Sequence, residues 1–188
     1  MSNETKVLSK YIYDINFNDI PTEIIEEVKL FLLDYLGVTL KGSTTETGEI
    51  TRDFQIEFGS AKKESTIIGS NHKVTSQAAA FANAVASHSI ELDDVDDLAL
   101  FHYGPPVLSA TLAVSEAHSI SGRSFLNALI LGCDIMRRIS NAMNPELRDR
   151  GFHTTPVCGV FGSAAATAKI ENLSVDEIAS ALGIAGAH

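Results

Sequence analysis

The sequence predicts an all-α fold, a bundle of seven or eight helices forming a single domain over residues 1–188. Three observations carry this. Apolar residues fall at helical spacing over residues 5–15 and recur at i, i+3, i+4 and i+7 from Ile24 to Leu36. The helix-shaped segments open on Pro or Ser signals and are rich in alanine and other small residues. Only ESTIIGSNHKVT combines a β-branched run with a turn. An apolar fraction of 45% against 20% charged residues is enough to bury a core.

The elements follow in order. Val7, Leu8, Tyr11, Ile12 and Ile15 sit at helical spacing and predict a short first helix over residues 5–15. Pro21 opens a longer amphipathic one, with Ile24, Ile25, Val28, Phe31, Leu32, Tyr35 and Leu36 on its core side, ending near Gly37 or Gly42. A polar loop over 43–48 leads to a helix over 49–58, then to the one hairpin or extended segment. Ser76 caps QAAAFANAVASHSIEL, which delivers His88 and Glu91 to an acidic loop. Pro105 and Pro106 close that loop and start VLSATLAVSEAHS. Gly122 punctuates before SFLNALILGCDIMRRIS, a nearly all-round apolar and hence central helix, with Arg137 and Arg138 near its end to complement the dipole. After a turn at Asn144-Pro145, the small residues of CGVFGSAAATAKI predict a tightly packed buried helix. Ser174 and Glu177 form a capping box for VDEIASALGIAG, and the chain ends at His188.

Composition narrows the function. Fourteen Lys and Arg against 24 Asp and Glu give a net charge of -10, with no basic patch, so nucleic acid and anionic membranes are not expected partners. The N-terminus has charges where a signal peptide needs an apolar core, so export is not expected, and the longest charge-free run, residues 151–168, is interrupted by Pro156 and polar groups. Cys133 and Cys158 lack metal or disulfide spacing and read as reduced, buried thiols. A cytoplasmic protein is expected.

Chemistry concentrates between Ser87 and Ala113, where His88 and His102 bracket Glu91, Asp93, Asp94, Asp96 and Asp97. Alone, a charge run is a solvated loop. Asp93, Asp94 and Asp97 also fit the DDxxD pattern by which all-α isoprenoid synthases bind magnesium diphosphate, but no second metal motif follows and the chain has no Trp. His153, in GFHTTP, is a third histidine. Histidines converging with carboxylates suit proton transfer near neutral pH.

Two long stretches, AAAFANAVASHSIELDDVDDLALFHYGPPVLSATLAVSEAHSISG and RDRGFHTTPVCGVFGSAAATAKIENLSVDEIASALGIAG, together with DIPTEIIEEVKLFLLDYLGVTLKG, resemble the N-terminal helical domain of the MmgE/PrpD family. That family includes 2-methylcitrate dehydratase, cis-aconitate decarboxylase and an iminodisuccinate epimerase. The resemblance implies acid–base lyase chemistry without metal or organic cofactor, dehydration or decarboxylation of a small di- or tricarboxylate such as 2-methylcitrate. An epimerase of the same kind, or a non-catalytic scaffold, is the alternative. The resemblance places His102, His153, Glu91 and Asp93 in the catalytic set with Asp94 beside them for substrate binding; His88, which borders the acidic loop, and Arg148 and Arg150, the cations nearest His153 in sequence, are further substrate-binding candidates by position. Glu91 stands where many members have Asp, Val95 where decarboxylase-like members have Thr, and Thr154 where the histidine motif has Pro. Small-residue helices and a large apolar fraction suit a homodimer, and the resemblance further implies a lid domain, absent from these 188 residues, that supplies lysines and a tyrosine in the same protein or from a separate subunit.

Overall fold

Eight α-helices of nine or more residues, one four-residue helix, a 3-10 turn (Phe17–Asp19), a π-turn (Gly104–Leu108) and a two-stranded hairpin make up the regular structure of the computed structural model, which describes residues 3–59 and 61–187. The terminal His188 lies outside the described residues. The expected all-α architecture is what the chain adopts.

The central pair is α6 (Gly122–Met143) against α8 (Thr154–Ile170). Small residues let them approach: a Cβ on Gly132 or on Gly162 would lie 2.8 Å from the other glycine's carbonyl oxygen, and Val107 wedges in at 2.8 Å from both positions. Such an approach is open only to residues without a side chain, and it gives each helix dense dispersion contact. One end of α8 packs with α1 (Asn3–Asp14) and α9 (Val175–Ala185), where Ile12, Leu131, Ile135, Ala165, Ala168, Ile178 and Leu182 form one buried cluster. A second cluster joins Tyr35 to Phe101, Val107, Leu108, Phe125, Leu129, Met136 and Cys158, and a third lies under the hairpin around Ile67, Val74 and Ala79. Both cysteines are free, and burial pushes both thiols up.

Tyr35 lies on α2 (Thr22–Gly42), whose apolar stripe engages the core only from Val28 onward, Ile24 remaining exposed. α2 crosses α4 (Ser76–His88) so closely that a Cβ on Gly42 would sit 1.8 Å from the Ala86 carbonyl oxygen. Next to them, α3 (Glu46–Phe58) leads into the hairpin of β1 (Ser65–Thr66) and β2 (Lys73–Val74), antiparallel with Ser65 opposite Val74. Glu116, on α5 (Ser109–Ala117), anchors the hairpin by accepting from the Thr66 N–H at 2.7 Å, the Thr66 hydroxyl at 2.6 Å and Lys73 at 2.6 Å.

Several boundaries differ from the sequence reading, each for a local reason. The polar loop after α2 is only 43–45, because Thr45 caps α3 through the Gly48 N–H. Thr75 rather than Ser76 caps α4, since the extended residue before the first turn is the one whose oxygen can reach the Ala78 N–H. Gly122 belongs to α6, with Ser121 as its cap. α4 ends at His88, so Glu91 is not helical. Arg137 and Arg138 fall before the last turn of α6, and each answers a carboxylate, Asp96 and Asp134 respectively, instead of the helix dipole. α8 begins at Thr154, ahead of the expected small-residue run, with Pro156 tolerated in its first turn. Among the described residues no helix is long and apolar enough to cross a membrane.

Candidate active site

The segment between α4 and α5 is folded by its own carboxylates. After His88 the chain reverses at Glu91, which takes a left-handed conformation (φ 52°) and donates its N–H to the His88 carbonyl at 3.2 Å. This reversal brings Asp93 back under His88, whose Nδ1 lies 3.0 Å from both Asp93 oxygens. The Asp93 side chain is 2% exposed. Asp94 is turned inward too, accepting the N–H groups of Tyr103 at 2.7 Å and Gly104 at 2.9 Å. Burial raises the Asp94 carboxyl, and these two bonds only partly counter it. A Cβ on Gly104 would stand 2.9 Å from Asp94 Oδ1, so glycine is what permits this contact.

Asp96 closes the loop on itself. Its carboxylate accepts the Ala99 N–H at 2.9 Å, the Tyr103 hydroxyl at 2.8 Å and Arg137 Nε at 3.2 Å. Burial works to raise its pKa, yet these donors together lower it. The Tyr103 hydroxyl is pushed up by burial and then by Asp96. Leu100, also left-handed at φ 60°, lets Phe101 pair with Asp96 and sink into the core. The acidic run is therefore mostly an internal scaffold; Glu91 and Asp97 are its exposed members. This arrangement does not suit a DDxxD metal site, because Asp93 and Asp94 face protein donors while Asp97 faces solvent.

His102 follows directly. Its backbone N–H donates to Thr155 Oγ1 at 3.1 Å, which ties the loop to the first turn of α8. Its Nδ1 lies 2.6 Å from the Asp94 carbonyl oxygen and 3.3 Å from Asp93 Oδ2. A carbonyl only accepts, so Nδ1 carries a proton, and in the neutral ring the lone pair is on Nε2. The His88 and His102 rings meet edge to face with centroids 4.8 Å apart, and His88 Nε2 lies 3.4 Å from Glu91 Oε1. Gly104–Leu108, a π-turn begun by Pro105 and Pro106, carries this constellation into α5.

His88, Glu91, Asp93, His102 and, behind them, Asp94 are thus brought together. His153 is not part of that cluster: it is the exposed residue preceding α8, and makes no hydrogen bond, ion pair or ring contact with another described residue. It lies two residues before Thr155, at the end of α8 that meets His102. Arg148 and Arg150 are exposed, on and just after α7 (Glu146–Asp149); Arg148 lies 4.0 Å from Asp149, and neither pairs with the cluster. Thr155, Tyr103 and Arg137 support the site without having been expected there. Beside the loop lies a cleft of about 410 Å³ lined by Phe31, Val95, Asp97, Tyr103, Cys133 and Arg137, among others. His88, Asp93 and His102 are the one group among the described residues whose ligand atoms, all within 4.8 Å of one another, could together hold a metal ion.

A neutral histidine whose Nδ1 donates to a carbonyl keeps the lone pair of its other nitrogen for whatever meets it. Comparison with known proteins places this helical domain: the MmgE/PrpD N-terminal domain matches residues 6–188, and the chain belongs to that family. It is 33% identical to the cis-aconitate decarboxylase-like protein oryM of Aspergillus oryzae over 97% of this chain. It is 31% identical to human cis-aconitate decarboxylase over 98% of the chain, and 30% identical to the Aspergillus terreus enzyme over 98%. The chain spans 39% of the length of each of these relatives. At the level of the family, the activity is that of a lyase.

Proposed function

We propose that this chain supplies the acid–base part of a lyase site acting on a small di- or tricarboxylate. The observation that carries the proposal is the fixed His102: the Asp94 carbonyl holds its Nδ1–H, with the Asp93 carboxylate 3.3 Å away, and Nε2 is left as the atom that exchanges a proton with substrate. His153 is its partner of opposite role, reaching the substrate from the start of α8. Dehydration needs a base at a C–H bond and an acid at the departing hydroxyl; decarboxylation needs an acid to protonate the carbon that loses CO₂. The names of the relatives favour decarboxylation. Val95, 64% exposed on the loop, offers no hydroxyl to a substrate, which favours a different carboxylate or dehydration.

A polycarboxylate also needs cations. Arg137 is committed to Asp96, and the chain carries a net charge of -10, so the proposal assigns the main cations to groups outside these 188 residues, in a further domain or a second subunit. The test is turnover of 2-methylcitrate and cis-aconitate by the protein isolated from its own host with whatever accompanies it. Consumption of either with a new unsaturated product or CO₂ supports the proposal; binding and turnover of neither refutes it. A second reading, a dimerising scaffold without catalysis, is favoured by the exposed row Ile50, Phe54 and Phe58 on α3, and would give a stable homodimer inert toward both acids.

A further inference from the structure

We propose that His88, Asp93 and His102 form a binding site for a divalent transition metal of the zinc type, and that occupancy switches the acid–base site off. The first part stands on geometry alone; the second rests on the role proposed above for His102. Three ligand atoms converge on one point from two separate segments, the end of α4 and the turn into α5. His88 Nδ1 is 3.0 Å from Asp93 Oδ2, and His102 Nδ1 is 3.3 Å from the same oxygen. With zinc bonds of about 2.0–2.2 Å to imidazole nitrogen and carboxylate oxygen, neighbouring tetrahedral ligands stand roughly 3.3 Å apart. Both edges are already near that spacing. The Asp94 carbonyl oxygen, 2.6 Å from His102 Nδ1, stands near the axis on which the metal would bind and must swing aside as the metal takes the place of the ring proton.

Two further features fit a metal. Among the described residues, Asp93 is answered by the two imidazoles alone, so its buried carboxylate has no backbone donor to displace. Glu91 Oε1 lies 3.4 Å from His88 Nε2, where it would accept the ring proton once Nδ1 binds metal. A carboxylate behind a ligating histidine is the usual second layer of such sites, fixing the ring and raising its basicity. Two imidazoles and one carboxylate suit zinc better than magnesium, which prefers an all-oxygen octahedron. His88, 36% exposed, provides the way in.

The consequence for chemistry is direct. A metal on Nδ1 of His102 replaces the proton held there, and the neutral ring then carries its proton on Nε2. The lone pair assigned to proton transfer is lost, and the bound dication fixes the ring.

The experiment is a calorimetric titration of the 188-residue chain with Zn²⁺ in excess Mg²⁺, with a parallel Co²⁺ absorption spectrum and ¹⁵N shifts of the ring nitrogens. The expected result is one zinc per chain, a tetrahedral Co²⁺ spectrum, and coordination shifts on Nδ1 of His88 and His102. His88→Ala and His102→Ala should each abolish the event, while Glu91→Gln weakens it. No stoichiometric binding overturns the proposal, as does binding that survives His102→Ala or leaves both Nδ1 signals in place. The ¹⁵N measurement needs only the unmodified chain, so a variant that unfolds does not block the test. Zinc that binds as described without slowing an active preparation refutes the switch and the role of His102 while leaving the metal site intact.

Discussion

Replacing Gly162 by Ala tests whether the α6–α8 crossing sets the frame for the site. A methyl group there would lie 2.8 Å from the Gly132 carbonyl oxygen, 2.8 Å from Val107 Cγ2 and 2.9 Å from Met136 Cβ. Carbon atoms pack best at about 3.5–4.0 Å, so the helices must part by nearly an ångström. None of these neighbours can move aside cheaply: one is backbone, one is a Cβ, and Val107 is fully buried. Overpacking of this kind costs about 1–3 kcal/mol, against a gain of about 1 kcal/mol for alanine over glycine inside a helix. The net expectation is a loss of up to about 2 kcal/mol, or roughly 4–8 °C in Tm at the upper end for a chain of this size. Gly183→Ala isolates the propensity effect, because nothing lies within 4 Å of a Cβ there and the position is exposed in α9. It should stabilise by about 0.5–1 kcal/mol. Urea and thermal unfolding of the two variants beside the parent decide the matter. A Gly162→Ala protein as stable as Gly183→Ala would show that the crossing is looser than described.

Asp93→Asn keeps the shape of the side chain but removes the shared charge and one acceptor; it should cost about 1–3 kcal/mol in urea unfolding, while turnover of an active assembly falls about 10²- to 10⁴-fold. A variant that retains most of its turnover would remove Asp93 from the orienting network. Burial raises the Glu116 carboxyl, but Lys73 and the two Thr66 donors outweigh it and lower its pKa in the folded chain. A carboxyl depressed on folding adds stability above its ordinary value, about 4.3, and that stability is lost as the pH falls through the depressed value. Glu116→Gln should therefore be less stable than the parent at pH 7, with the gap closing below about pH 4; a pH-independent gap would contradict the assignment. Tyr35→Phe removes the buried 2.7 Å bond to Ser109 and should cost about 1 kcal/mol with no change in turnover, measured by thermal unfolding and assay together.

What could be read from the sequence was what is local. The Ser174–Glu177 capping box needs only three residues and forms as expected. The α2 stripe, the small-residue character of α8 and the closing of the acidic loop by Pro105 and Pro106 were equally legible, being set by period, composition and proline chemistry, while the β-branched run and turn of ESTIIGSNHKVT left a hairpin and an extended loop both open. The interior of the site was not. Nothing in Glu91 announces a left-handed residue, and without that reversal Asp93 would not return to His88. The bond from His102 to Thr155 spans 53 residues, and Arg137 answers Asp96 across two elements. Asp94 was expected to meet substrate, but the buried N–H groups at the start of the π-turn require an acceptor and claim both its oxygens. His88 and His102 could be named from the sequence as candidates; that they share one carboxylate is a product of the fold.

The central claim, that Nε2 of His102 exchanges a proton with a carboxylate substrate, is tested most directly by His102→Gln in the complete assembly from the host. The chain should remain folded by circular dichroism, since the ring is partly exposed and its backbone N–H keeps Thr155. Turnover should fall about 10²- to 10⁴-fold, with substrate still bound. Turnover within a few-fold of the parent, on the acid that the parent consumes, would contradict the account.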